Sequence, residues 1–79
     1  MEIVYTEYAE ESIADRNISK SIIENTLKNP EEVVEGKENR KIAHKVIGNK
    51  LLRVIFETNK KAYIIITAYY TQPLRYMKK

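Results

Sequence analysis

The fold is decided by one stretch, RKIAHKVIGNKLLRVIFE, which covers residues 40–57. Its first half alternates between apolar and polar side chains, as expected of a β-strand with one buried face. Gly48-Asn49 then gives a two-residue turn signal, so the stretch predicts a β-hairpin whose second strand is Lys50–Glu57. Alternate residues of that second strand face the same way, and those of one face are Leu52, Val54 and Phe56.

Toward the C-terminus, residues 62–69 form the next predicted strand, after a turn at residues 58–61. This strand contains a continuous apolar run, Tyr63-Ile64-Ile65-Ile66, which is typical of a central strand buried on both faces. Toward the N-terminus, residues 2–5 are β-branched and aromatic and predict an opening strand.

Two helices are predicted between the opening strand and the hairpin. Thr6 is the expected N-cap of the first helix, which runs to about Asp15, and Ser19 is the expected N-cap of the second. Asn29-Pro30 ends the second helix, because a residue before proline is disfavoured in the α region.

These elements predict a single α+β domain over residues 1–79, with two N-terminal helices packed on one face of an antiparallel sheet of three to four strands. A fourth strand depends on Val33-Val34, which indicates a short edge segment. The abundance of Lys, Glu and Ile, with only two glycines, favours a heat-adapted source.

Composition excludes several classes of protein. The chain has no cysteine and one histidine, which excludes disulfides, thiolate metal sites and multi-histidine metal sites, so we expect no metal and no cofactor. It has no apolar run of about 20 residues and no signal-peptide pattern at its start. We therefore expect a soluble cytoplasmic domain with no membrane partner.

Charge is divided unevenly along the chain. Residues 1–38 carry ten acidic and four basic side chains, net −6, and residues 39–79 carry one acidic and ten basic side chains, net +9. Four of the six tyrosines lie in the basic half, and basic residues interleaved with aromatic rings favour contact with nucleic acid. The split predicts an acidic helical layer and a basic sheet.

Two side chains of the hairpin are candidates for chemistry. His44 is the only side chain that titrates near neutral pH when unperturbed, although its apolar neighbours Ile42 and Val46 also fit a packed structural histidine. Arg53 interrupts an apolar strand, and the hairpin register places Lys45 opposite Leu52 and so beside Arg53. Either an acid, from Glu57 or the helices, or a bound phosphate would then separate these two cations.

A tyrosine and arginine cluster follows the last strand. It comprises Tyr69, Tyr70, Arg75 and Tyr76, and such a cluster can stack on a base while it holds the phosphate. The alternative is a tail whose tyrosines pack on the helices. RNA supplies its own nucleophile, the 2′-hydroxyl, so cleavage requires only a base, an acid and a group that stabilises charge.

The sequence resembles a family of small bacterial and archaeal domains placed among the RelE/ParE-like toxins. The resemblance spans nearly the whole chain and is carried by four segments: residues 16–19, residues 29–30, residues 40–45 with 51–57, and residues 66–71 with Arg75-Tyr76. It implies a curved antiparallel sheet under two helices, RNA cleavage without a metal, often on the ribosome, and an antitoxin protein as partner.

The resemblance also implies roles for individual residues. Lys45 and Arg53 would neutralise the scissile phosphate, and Tyr76 or His44 would transfer protons. Three further residues are expected to bind RNA, namely Arg40, Tyr70 and Arg75.

The chain departs from the family pattern in its first helix. Many relatives carry His-Ala-x-x-Arg there, where this chain has Tyr8, Ala9 and Ser12. Because the superfamily also includes proteins that poison gyrase, two alternatives stand beside the nuclease: a non-catalytic module that binds RNA or protein through its basic face, and an assembly domain that joins acidic helices to a neighbour's basic sheet.

Overall fold

The computed structural model describes residues 2–73 and contains seven elements of secondary structure. In chain order they are β1 (Glu2–Tyr5), α1 (Glu7–Asp15), α2 (Lys20–Lys28), β2 (Glu32–Glu35), β3 (Lys41–Ile47), β4 (Lys50–Thr58) and β5 (Ala62–Thr71). The predicted opening strand, both helices and the hairpin are confirmed.

All five strands form one sheet in the order β1-β5-β4-β3-β2. β1 pairs with β5 in parallel, and every other pairing is antiparallel. The prediction of an antiparallel sheet of three to four strands is therefore wrong, because the fold is a strand-rich α+β arrangement on a five-stranded mixed sheet. Alternation within a segment identifies a strand but not its partner, and nothing in the sequence indicates that β1 joins the last strand.

β4 is the middle strand of the sheet and is almost entirely buried over residues 51–56. Residues 62–69 lie in an interior strand of the sheet, as expected, because β5 lies between β4 and β1. β5 is more apolar than β4 in its middle, but its exposure is intermediate at most positions. The pairing of β5 with β4 is irregular between Ile55 and Phe56, where the register shifts.

Both helices begin at the predicted caps. The Thr6 hydroxyl accepts a hydrogen bond from the Ala9 amide at 3.0 Å and donates one to the Ile65 carbonyl at 3.1 Å, so it also fastens α1 to β5. The Ser19 hydroxyl accepts from the Ile22 amide at 3.2 Å. Each cap satisfies an amide that the helix itself leaves without a partner.

The hydrophobic core lies between the helices and one face of the sheet. It includes Ala9 and Ile13 of α1, Ile23 and Leu27 of α2, and Leu52, Val54 and Phe56 of β4. Since side chains alternate along a strand, Leu51, Arg53 and Ile55 project from the other face. Within residues 2–73, neither helix has the length and apolar character needed to cross a bilayer.

Candidate functional site

A row of four polar side chains crosses the sheet on the face that points away from the hydrophobic core. Glu32 of β2 is paired with His44 of β3, His44 with Arg53 of β4, and Arg53 with Tyr69 of β5. Residues directly opposite each other on neighbouring strands project from the same face and lie close together. The register alone therefore aligns a carboxylate, an imidazole, a guanidinium and a phenol.

Each neighbouring pair in this row is hydrogen-bonded. Nδ1 of His44 lies 2.7 Å from Oε2 of Glu32, Nε of Arg53 donates to Nε2 of His44 at 3.1 Å, and Nη1 of Arg53 donates to the Tyr69 hydroxyl at 2.6 Å. An arginine can only donate, so Nε2 of His44 is the acceptor and its proton resides on Nδ1, facing Glu32. His44 thus connects the carboxylate of Glu32 to the guanidinium of Arg53.

The two middle members of the row are enclosed. His44 is 1% exposed and Arg53 is 9% exposed. A buried guanidinium is tolerated only where hydrogen bonds replace its lost water, and His44 and Tyr69 supply two of them. Arg53 is therefore held in one orientation, with its charge directed toward the Tyr69 hydroxyl.

A second arginine meets Tyr69 from outside the sheet. Arg16 is the C-cap residue of α1, and its guanidinium carbon lies 6.0 Å from the centre of the Tyr69 ring, against 5.5 Å for that of Arg53. Both distances are within the range of cation–π attraction. We call these three residues, Arg16, Arg53 and Tyr69, the Tyr69 cluster.

Arg16 is exposed, yet its guanidinium is fixed in place. Its Nη1 donates to the Ser12 hydroxyl at 2.7 Å, to the Thr67 hydroxyl at 3.2 Å and to the Ala68 carbonyl at 3.4 Å. The two hydroxyls are themselves hydrogen-bonded at 2.6 Å. None of its partners is a carboxylate, and over residues 2–73 Arg16 takes part in no ion pair. The charge of Arg16 is therefore held by neutral groups and is not cancelled.

Among the candidate residues that lie within residues 2–73, the structure brings His44 and Arg53 together and adds Tyr69 of the predicted tyrosine and arginine cluster. The register prediction that Lys45 pairs with Leu52 is confirmed, but the inference that Lys45 lies beside Arg53 is wrong. Successive side chains of a strand project from opposite faces of the sheet, so Lys45 and its neighbour His44 point in opposite directions. Lys45 projects toward α2, and its ammonium donates to the Asn29 carbonyl at 3.0 Å. His44 takes the place expected of Lys45.

Arg40 and Tyr70 lie elsewhere. Nε of Arg40 donates to Glu57 at 3.1 Å, at the end of the hairpin remote from its turn, and Nη1 lies 3.9 Å from Glu38. Tyr70 packs against the hydrophobic core, on the face opposite Tyr69. Arg75 and Tyr76 fall outside the described residues.

Two members of the site, Glu32 and Arg16, were missed, and Tyr69 was expected only as part of the tyrosine and arginine cluster and not as a partner of Arg53. Tyr69 had a signal in the sequence, because it stands in the tyrosine cluster next to Tyr70 and only the register decides which of the two meets Arg53. Arg16 stands in residues 16–19, a segment that carries the family resemblance, which gave it no role in the site. No feature of the sequence marked Glu32, because it lies on a short edge segment whose pairing with β3 the sequence does not predict.

The arrangement suits an anion rather than a metal ion. Within the described part of the chain, no three histidine, cysteine or acidic side chains gather closely enough to hold a metal. The Tyr69 cluster instead offers the exposed guanidinium of Arg16 and the hydroxyl of Tyr69, with the buried charge of Arg53 behind that hydroxyl. The Tyr69 hydroxyl accepts from Arg53, so its own proton remains to be donated to another oxygen. Such a set of donors fits phosphate oxygens.

Comparison with known proteins gives one match. The sequence profile of the family described as "Domain of unknown function (DUF4258)" matches residues 5–70, which contain every member of the row and of the Tyr69 cluster. No curated protein matches the chain. No solved structure matches it either.

Proposed function

We propose that this chain, which belongs to the DUF4258 family of domains of unknown function, binds RNA by holding a backbone phosphate at the Tyr69 cluster. Arg16 supplies the exposed positive charge and Tyr69 supplies a hydroxyl proton. Arg53 orients that hydroxyl from within the sheet, through the hydrogen bond at 2.6 Å. The resemblance to RelE/ParE-like toxins is what directs this proposal to RNA among the polyanions.

The observation that carries the proposal is the anchoring of Arg16. A surface arginine ordinarily loses side-chain entropy when it binds a ligand, which reduces the affinity that it contributes. Here Ser12, Thr67 and the Ala68 carbonyl hold the guanidinium before any ligand arrives. A preorganised cation without a carboxylate partner is what a phosphate site requires.

The proposal is tested by measuring the affinity of a short single-stranded RNA for the protein and for Arg16→Ala. We expect Arg16→Ala to bind about tenfold more weakly, since a hydrogen bond to a charged group contributes about 1.5 kcal/mol. Lys61→Ala is the matched control, because Lys61 is an exposed cation that precedes β5 at the end remote from Tyr69. Equal losses in both variants would mean that only net charge matters.

Metal-independent RNA cleavage, as in a toxin of a type II toxin–antitoxin pair, is a second candidate. It is favoured by the donor position of the Tyr69 hydroxyl. In this reaction the RNA 2′-oxygen attacks phosphorus, its proton passes to water, and the bond from phosphorus to the 5′-oxygen breaks. Tyr69 would protonate the leaving 5′-oxygen, and Arg53 would stabilise the phenolate that forms.

Cleavage is tested separately from binding. The protein, alone and with ribosomes, is incubated with RNA, and products that end in a 2′,3′-cyclic phosphate are measured. Tyr69→Phe should weaken RNA binding about tenfold, because it removes a hydrogen bond to the phosphate, and at saturating RNA it should lose at least about a hundredfold in cleavage rate, the usual contribution of a general acid. RNA that stays intact with the wild-type protein would leave the binding proposal standing and remove the nuclease.

Partners and location follow from the same proposal. A toxin of this kind would act on RNA in the cytoplasm, with the ribosome as the site of cleavage and an antitoxin protein as its inhibitor. The acidic side chains of α1, Glu7 and Glu10 in its first turn among them, place negative charge on the helical side of the domain. That charge disfavours RNA there and favours a basic partner protein.

A further inference from the structure

A cavity at the turn end of the β3–β4 hairpin is not used by the Tyr69 cluster. It has a volume of about 350 Å³ and is lined by Lys50, Tyr70, Thr71 and Gln72. Lys50 begins β4 directly after the turn, and Tyr70 and Thr71 end β5. The neighbouring strands β4 and β5 therefore each contribute residues to the lining. The cavity is thus built on paired strands.

The four lining residues have complementary chemistry. Tyr70 is partly buried against the hydrophobic core and also lines the cavity, so it contributes an aromatic ring to the wall. Lys50 is exposed and lies within 4.0 Å of no carboxylate in the described chain. The Gln72 amide offers a donor and an acceptor side by side, and Thr71 offers a hydroxyl. Together they present a flat ring, a cation and hydrogen-bonding groups.

This combination fits one nucleotide. The volume lies at the lower end for small-molecule pockets, which suits a single unit of a chain. A base can stack on the Tyr70 ring, its polar edge can pair with the Gln72 amide, and its phosphate can contact Lys50. Bases of a duplex are stacked and paired within the helix, so only an unpaired base can enter.

We infer that the cavity binds an unpaired nucleobase with its phosphate, which makes the ligand of the Tyr69 cluster a single-stranded RNA rather than a duplex. The inference rests on the proposed function for the identity of the polymer. The cavity itself would accept the same unit from either an RNA strand or a free nucleotide. The experiment therefore uses three probes: adenosine monophosphate, a short oligoadenylate and an RNA duplex of the same length.

The first measurement follows the side-chain amide of Gln72 by NMR as adenosine monophosphate is added. Gln72 is the only glutamine of the chain, and Gln72→Glu identifies its amide signal by deleting it. We expect this signal and those of the Tyr70 ring to shift in a saturable manner. Shifts confined to other residues would overturn the inference, because the nucleotide would then bind elsewhere.

The second measurement compares Tyr70→Leu with Tyr70→Phe in binding oligoadenylate. Loss of the ring should weaken binding roughly ten- to a hundredfold, the range for removal of one stacking contact, and Tyr70→Phe should stay within about twofold. The duplex should bind more weakly than oligoadenylate to the wild-type protein. An unchanged affinity in folded Tyr70→Leu, or equal binding of the duplex, would overturn the inference.

The two proposals can fail separately. If Arg16→Ala weakens RNA binding and Tyr70→Leu does not, the Tyr69 cluster binds RNA and the cavity inference is wrong. If the nucleotide shifts the Gln72 signal and Arg16→Ala binds RNA normally, the cavity stands and the proposed phosphate site is wrong. Because Tyr70 contacts the core, Gln72→Ala serves if Tyr70→Leu does not fold, and it should weaken binding of adenosine monophosphate about fivefold.

Discussion

At the scale of residues, the central feature is an arginine enclosed by a histidine and a tyrosine. From the sequence, Arg53 interrupts an apolar strand and must therefore have a polar or charged partner, and the partner expected was an acid or a bound phosphate. In the structure, Nε2 of His44 accepts a hydrogen bond from Arg53, and Nδ1 of His44 is hydrogen-bonded to Glu32. Through His44, Arg53 is thus connected to a carboxylate of β2, the strand at the edge of the sheet.

We predict that His44→Ala lowers the free energy of unfolding by about 3 kcal/mol, because it removes a hydrogen-bond acceptor from a buried guanidinium and leaves a cavity. Denaturant unfolding measures the change. Glu35→Ala is the control, since Glu35 pairs with Lys41 at 2.9 Å on the exposed surface and should cost less than about 1 kcal/mol. Similar costs for the two variants would contradict the structural role of His44.

The partly buried phenol of Tyr5 should make the stability of the fold depend on pH in the alkaline range. Burial raises the pKa of the Tyr5 phenol above its ordinary value of about 10, and the hydrogen bond to Glu24 at 2.8 Å and the charges of Glu24 and Glu10 raise it further. The unfolded chain therefore loses this proton first as pH rises. The contribution of Tyr5 is complete below about pH 10 and is lost progressively above it.

The measurement is the melting temperature between neutral pH and strongly alkaline pH, for the wild-type protein and for Tyr5→Phe. We expect the wild-type melting temperature to fall more steeply above about pH 10, because Tyr5→Phe has no proton to lose at this position. Parallel curves for the two proteins would show that Tyr5 ionises at the same pH in the folded and unfolded chains.

At the scale of elements, the sequence predicted local structure well and pairing poorly. The helix caps Thr6 and Ser19 and the turn at Gly48-Asn49 are fixed by neighbouring residues, and all three are confirmed. The parallel pairing of β1 with β5 joins residues about sixty positions apart, and no local pattern encodes it. The same limit explains the site, because Arg16 and Tyr69 meet only once that pairing and the path of α1 are known.

Substitutions at Gly48 in the hairpin turn should destabilise the fold through backbone strain. Gly48 has a φ of 64°, and no atom lies within 4 Å of the position that a Cβ would occupy, so a substitution there is strained but does not clash. Gly48→Ala should cost roughly 1 to 2 kcal/mol. Gly48→Asn should cost less, since asparagine adopts this conformation more readily. Urea unfolding compares them, and equal costs would contradict a conformational origin.

At the scale of the whole molecule, the charge split does not coincide with the two layers. β1 and β2 belong to the acidic half of the sequence and yet lie in the sheet, where Glu35 pairs with Lys41 and Glu32 with His44. The prediction of a basic sheet is therefore wrong, because acidic strands of the first half lie in it. Arg40 and Lys41 pair with carboxylates of the fold, whereas Arg16 and Lys50 form no ion pair within residues 2–73 and are the cations expected to set any affinity for a polyanion.

The salt dependence of RNA binding tests the central claim most directly, that Arg16 holds a backbone phosphate. Each phosphate neutralised by a cation makes the logarithm of affinity fall more steeply with the logarithm of salt concentration. We predict that Arg16→Ala lowers this slope by roughly one, and that Lys61→Ala leaves it unchanged. An Arg16→Ala protein that is folded and retains the wild-type slope would contradict the account.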